Sequence, residues 1–224
     1  MTLVLGIDDA GRGPLIGPMV LSGVLLEKER EVLLKEKGVK DSKLLTHPAR
    51  IQLSKIIKEN ALDIKSIKIF PEEIDRALKT GINLNTLEAI KMAEIINSLN
   101  DKKSEIHVFV DCPSVNTRAW RNTLIGFIKH PQNLTFVVEH KADFLYPCVS
   151  AASIIAKCER EDEIAKLKQE YKKYGDIGSG YPSDPITQEF LKKHGKTLEN
   201  SGLFRKTWKT WKALFPEKEQ STLF

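Results

Sequence analysis

Three short apolar runs in this chain end the same way. LVLGI at 3–7, IHVFV at 106–110 and LTFVV at 134–138 each run on into acidic residues: Asp8 and Asp9, Asp111, and, a turn later, Asp143. Runs of this length, rich in Val, Ile and Leu, suit buried strands. Between them lie segments with helical spacing. Ile51, Leu53, Ile56 and Ile57 follow a Thr46/Pro48 helix start, PEEIDRAL opens at Pro71 with two acids, and Leu84–Leu99 carries Leu87, Ile90, Met92, Ile95, Ile96 and Leu99. IKSIKIF at 64–70 and GPMVLSGVLL at 17–26 read as further strands, and Glu27–Lys37 as a short charged helix or connector. Strands alternating with helices give an α/β fold around a mixed sheet. In such sheets sites form beyond the carboxyl ends of the strands, which is where all four aspartates fall.

One acid at a strand end is usually a solvated loop residue. Three strand ends carrying four acids is a different proposition. Clustered carboxylates repel and stay ionised together only around a cation, and hard ions such as Mg²⁺ or Mn²⁺ prefer these oxygens. Geometry sets a condition. Neighbouring residues in a strand point to opposite faces, so Asp8 and Asp9 are expected to face one site only if the strand stops at them. The glycines that follow suit such a stop.

The totals fit one sizeable domain or a domain with an appendage. There are 224 residues, 41% of them hydrophobic, enough for a full core. We place a catalytic domain at 1–170 and a helical C-terminal region at 171–224, where the texture changes at YGDIGSGYPSDP. The net charge of +5 and pI near 9.0 suit a polyanionic partner. Cys112, Cys148 and Cys158 form no CxxC pair and point to a reduced, cytoplasmic protein. No run approaches the ~20 apolar residues of a membrane span. A monomer is expected.

The glycines of GIDDAGRGPLIGP do not follow nucleotide-loop grammar. The spacing is G-x-G-x-x-x-G, with Pro14 and Pro18 flanking a strand-like stretch, whereas a dinucleotide fingerprint needs G-x-G-x-x-G opening a helix. GDIGSG at 175–180 lacks the Lys-Ser or Lys-Thr of a P-loop. A nucleotide-dependent enzyme is therefore disfavoured. None of the five histidines stands at metal-ligand spacing from another.

GIDDAGRGPLIGPMV, DSK at 41–43, VDCPSVN, HKADFLYPCVSAASIIAK and GSGYPSDP, in that order, resemble type 2 ribonucleases H in their archaeal ribonuclease HII form. The resemblance spans nearly the whole chain. It implies a ribonuclease H-like fold: a mixed central sheet flanked by helices, with a small helical C-terminal appendage. It implies two Mg²⁺ or Mn²⁺ ions held by Asp8, Asp9, Asp111 and Asp143, and hydrolysis of the RNA strand of RNA/DNA hybrids. Cleavage would also fall 5′ of ribonucleotides embedded in duplex DNA, leaving 3′-hydroxyl and 5′-phosphate ends. By the same resemblance the backbone of Gly11, Arg12 and Gly13 contacts the ribose 2′-hydroxyl and Tyr181 packs on the following deoxyribose. Lys43, Ser150, Ser153 and Lys157 are candidates for substrate phosphate contacts.

The chain departs from the family pattern at Asp9, where glutamate is usual. Either the backbone has adjusted to a side chain one methylene shorter, or the protein is a low-activity or inert nucleic-acid-binding or clamp-binding variant. At the other end, QSTLF resembles the first half of a sliding-clamp peptide through Gln220, Leu223 and Phe224. Asp184, Pro185 and Gly195 read as the start and close of a helix. Phe204, Trp208, Trp211 and Phe215 recur as one helix face, interleaved with Lys206, Lys209 and Lys212.

Overall fold

The computed structural model describes residues 2–39 and 45–216. Five strands form one mixed sheet in the order β3-β2-β1-β4-β5: β1 Leu3–Ala10, β2 Met19–Glu27, β3 Asp63–Ile69, β4 Ile106–Asp111 and β5 Leu134–Glu139. β1 pairs antiparallel with β2, and β2 with β3, while β4 and β5 run parallel to β1. The parallel trio therefore ends on one edge, and the acids of β1 and β4 emerge side by side.

Helices cover both faces. The described helices are α1 Arg30–Glu36, α2 His47–Asn60, α3 Pro71–Lys79, α4 Leu84–Leu99, α5 Thr117–Gly126, α6 Ala142–Leu145, α7 Pro147–Glu170, α8 Pro185–His194 and α9 Lys209–Leu214. On one face Leu3, Leu5 and Ile7 of β1 pack with Met92, Ile95 and Ile96 of α4. On the other, Val4 packs with Val149, Ala152 and Ile155 of α7. Each fully buried aliphatic side chain here contributes about 1.5–3 kcal/mol. The small residues of VSAAS let α7 lie almost on the strand: a Cβ on Gly6 would overlap the backbone of Cys148 and Val149.

Several elements differ from expectation. β1 does not stop at the aspartates but continues through Asp8 and Asp9 to Ala10, still paired with β2 at Asp8–Ser22 and Asp9–Leu21. Asp143 lies in the one-turn helix α6, entered from Lys141 in a left-handed conformation (φ 58°). Helix α5 is not among the expected helices and is capped by Asn116, whose side chain accepts from Ala119 N–H. The tail is not one long helix. Phe204 sits in an isolated bridge to Ile16, and α9 begins only after Trp208, its N-cap.

The aromatic residues of the tail nevertheless pack as core. Phe204, Trp211 and Phe215 stack with centroids 5.1 and 4.7 Å apart. They belong to a third cluster that includes Phe190, Leu191 and Leu203 together with Leu15 and Ile16 of the N-terminal loop. Asp184 caps α8 by accepting from Ile186 N–H at 2.9 Å, with Pro185 in the first turn. Among the described residues no helix is long and apolar enough to cross a membrane, and the three cysteines are free.

Candidate active site

The four aspartates line one cleft of about 750 Å³ at the carboxyl end of the parallel strands. Continuation of β1 sends its two acids to opposite faces of the sheet. Asp8, 4% exposed, follows Val4 and Gly6 toward α7, where Ser153 hydrogen-bonds its carboxylate. Its Oδ1 also accepts from Asp9 N–H at 2.7 Å. Asp9 follows Ile7 toward α4, within the field of Arg12 and Glu88. Both still reach the cleft because it opens over the sheet edge. Asp111 Oδ1 accepts from Ala142 N–H at 2.8 Å, and Asp143 is buried in the first turn of α6.

Burial pushes the Asp8 carboxyl well above the usual range, and Asp9 and Asp111 add to the effect. Burial raises Asp9 to about 6, with Asp111 adding and Arg12, Lys157 and Arg205 opposing. Among the described residues no three acidic, imidazole or thiol groups stand as a ready-made metal cage. The chemistry of the donors nevertheless fits hard divalent ions: all are carboxylates, they share a cleft, and the charge of Asp111 raises the proton affinity of Asp8 and Asp9, a penalty that a cation removes.

The glycine loop forms the next wall. Gly11 and Gly17 have φ of 84° and 81°, and a side chain at Gly11 would collide with Arg160. Gly13 faces Tyr181, whose Cε1 lies 3.7 Å from where a Cβ would stand. Tyr181 is 40% exposed and carries the Arg160 guanidinium 5.2 Å from its ring centroid. The Arg12 side chain turns to α4, pairing with Glu88 and donating to Asn85 Oδ1 at 2.6 Å. What loop residues 11–13 offer the cleft is then mainly backbone. On the remaining wall Lys157, Arg160, Arg50 and Lys168 outnumber Glu161, which pairs with Arg50, leaving the excess positive charge that attracts a phosphate backbone.

The other expected substrate contacts fall differently. Ser150 and Ser153 are buried and do not line the cleft, although Ser153 supports Asp8. Lys43, Gln220, Leu223 and Phe224 lie outside the described residues. The sequence reading missed three residues. Arg205 is fully buried and donates to the loop carbonyls, and Arg160 stacks on Tyr181. Glu88 is buried beside Asp9 and raised to about 8, chiefly by burial and then by the Asp9 charge. Glu88 had a signal: it stands midway between Leu84 and Met92, an acid on the apolar stripe of α4.

Residues 5–211 match the family Ribonuclease HII. The chain belongs to the ribonuclease HII family. It is 43% identical to the ribonuclease HII of Methanocaldococcus jannaschii over 99% of this chain and 98% of that one. In structure it is similar to the ribonuclease H2 of Pyrococcus horikoshii, with TM-score 0.83 and 38% identity, covering 95% of this chain and 96% of that one. It is likewise similar to a chain of the PCNA:RNase HII complex of Archaeoglobus fulgidus, with TM-score 0.80 and 39% identity, covering 96% and 98%. As a ribonuclease HII it is a ribonuclease H, an endonuclease that hydrolyses RNA in RNA/DNA hybrids.

Proposed function

We propose that this ribonuclease HII cleaves on the 5′ side of ribonucleotides, including single ones embedded in duplex DNA, and leaves 3′-hydroxyl and 5′-phosphate ends. One observation carries the reading: Asp8, Asp9, Asp111 and Asp143 line the same cleft as the Gly11–Gly13 backbone and Tyr181. The chemistry of the acids and a surface suited to ribose thus meet in one place. The four aspartates would hold two Mg²⁺ or Mn²⁺ ions. Such ions polarise the phosphodiester and the attacking water and neutralise charge on the leaving oxygen.

The remaining work falls to the chain. Gly11, Arg12 and Gly13 present backbone to the 2′-hydroxyl, the group that distinguishes RNA from DNA. Tyr181, held by Arg160, packs on the neighbouring deoxyribose. Lys157 and the basic wall seat the phosphates, and Lys43 adds a contact from outside the described residues. Ser153 keeps the Asp8 carboxylate aimed at the cleft.

The shorter Asp9 supports a second reading, in which the chain binds such duplexes but cuts them slowly or not at all. Gln220, Leu223 and Phe224 are assigned to a sliding clamp, a reading supported by the PCNA complex of the Archaeoglobus relative. Incubation of a DNA duplex holding one ribonucleotide with Mg²⁺ or Mn²⁺, and with EDTA, decides between the readings. Metal-dependent cutting at that nucleotide supports the nuclease. Tight binding without cutting in either metal favours the binding variant.

A further inference from the structure

The backbone oxygens of Gly11, Arg12, Gly13, Leu15 and Gly17 accept hydrogen bonds from Arg205 and Trp208. Arg205 donates to Gly11 O at 2.7 Å, to Arg12 O at 2.8 Å, and through two nitrogens to Gly17 O at 3.0 and 3.2 Å. Trp208 Nε1 donates to Gly13 O at 3.0 Å, and the Arg205 guanidinium lies 4.9 Å from the Trp208 ring centroid. The main chain joins in: Arg205 N–H donates to Leu15 O, and Gly17 N–H to Leu203 O.

This is an expensive way to hold a turn. Arg205 is fully buried, and burial lowers its proton affinity to about 9. Buried charge is costly unless its donors are satisfied, and a turn fixed only for stability can use an apolar side chain. A guanidinium supplies what an apolar group cannot: a rigid planar fork that sets several carbonyls at once. Among the described residues no peptide bond is cis, so each N–H of the loop points opposite to the carbonyl of its own peptide unit. With the oxygens of Gly11 and Arg12 on the guanidinium, the N–H groups of Arg12 and Gly13 point away from it.

We propose that Arg205 and Trp208 are positioning residues for ribose selectivity: by taking up the carbonyls of residues 11–13 and 17 they fix the loop in the conformation that tells ribose from deoxyribose. The inference rests on the ribose reading given above. Neither residue lines the cleft; both act through the loop.

The test uses the full chain and two duplexes that differ only in one ribonucleotide. The readout is the ratio of their dissociation constants in EDTA, taken with melting temperature and with KM and kcat for cleavage. Arg205→Lys keeps the charge but loses the fork, and should reduce the preference for the ribonucleotide about tenfold, since several hydrogen bonds of modest net worth are lost. Trp208→Phe keeps the ring and removes one donor, and should reduce it about threefold while raising KM more than it lowers kcat. Ile57→Val, in the separate cluster of α2 and α7 that holds none of residues 11–17, should lower the melting temperature and leave the preference unchanged. Folded Arg205→Lys and Trp208→Phe proteins with the wild-type preference would overturn the proposal. If Arg205→Lys fails to fold, an unchanged preference in Trp208→Phe overturns it alone. Equal binding of both duplexes by the wild type would instead remove the ribose reading, and this inference with it.

Discussion

Asp111 accepts a hydrogen bond from the backbone N–H of Ala142, so the acid that ends β4 is tied to the turn carrying Asp143. Asparagine at 111 retains an oxygen that can accept the same bond while the carboxylate charge disappears. Asp111→Asn should therefore fold and melt within a few degrees of wild type. Its cleavage rate should fall by more than about 100-fold, because even groups that only orient metal ligands are worth 10–100-fold. Duplex binding should largely persist. Binding assays beside a cleavage time course check this, and near-wild-type cleavage would remove Asp111 from the chemistry.

Asp9→Glu restores the methylene that the family pattern leads one to expect. Misplacement of a reacting group by ~1 Å costs ~100-fold, so kcat should rise, by up to about that factor. Glu88 and Arg12 lie on the same side as Asp9 and have to accommodate the longer chain. Unchanged or lower kcat would show that the site is built around aspartate.

The raised acids predict an unusual pH profile for the metal-free protein. A carboxyl raised on folding binds more protons in the folded state than in the unfolded one, so its contribution is present at low pH and lost as pH rises. Asp9 loses it between 3.8 and about 6, and Glu88 between 4.5 and about 8. In EDTA the melting temperature should fall from pH 5 to pH 8, and millimolar Mn²⁺ at pH 8 should restore it. Glu88→Gln should flatten the upper part of the fall. A melting temperature that climbs across this range in EDTA would contradict the assignment.

Tyr181 should matter for the junction rather than for hydrolysis itself. Tyr181→Ala removes the ring beneath Arg160 and should weaken the preference for a ribonucleotide followed by deoxyribonucleotides by roughly tenfold, or about 1.4 kcal/mol. Competition between a junction duplex and a continuous hybrid measures this directly. Tyr181→Phe, with the ring intact, should behave as wild type.

Gly6→Ala tests the closeness of β1 and α7. The added methyl meets the backbone of Cys148 and Val149 rather than a side chain that can move. The cost should reach the upper end of the ~1–3 kcal/mol for overpacking, a drop on the order of 10 °C in melting temperature for a domain of this size. Calorimetry checks it.

The local pattern carried much of the fold. Helix α4 and strand β4 fall on the residues that their periodicity marked, and Asp184 caps α8 as its sequence required. The four acids were legible because each follows an apolar run. What escaped was set by pairing and packing with other segments. β1 runs past Asp9 because β2 continues to pair with it. The tail aromatics have helical spacing, but packing of Phe204 onto Ile16 overrides it. Arg205 shows no period at all: its partners lie 188–194 residues upstream.

That separation has a consequence for synthesis. At roughly 5–20 residues per second, Gly11 to Gly17 leave the ribosome some ten to forty seconds before the arginine that binds the oxygens of Gly11, Arg12 and Gly17. A polypeptide abandoned before that point carries all four aspartates beside a turn whose carbonyls have found no donor, so the cleft end of the sheet matures late.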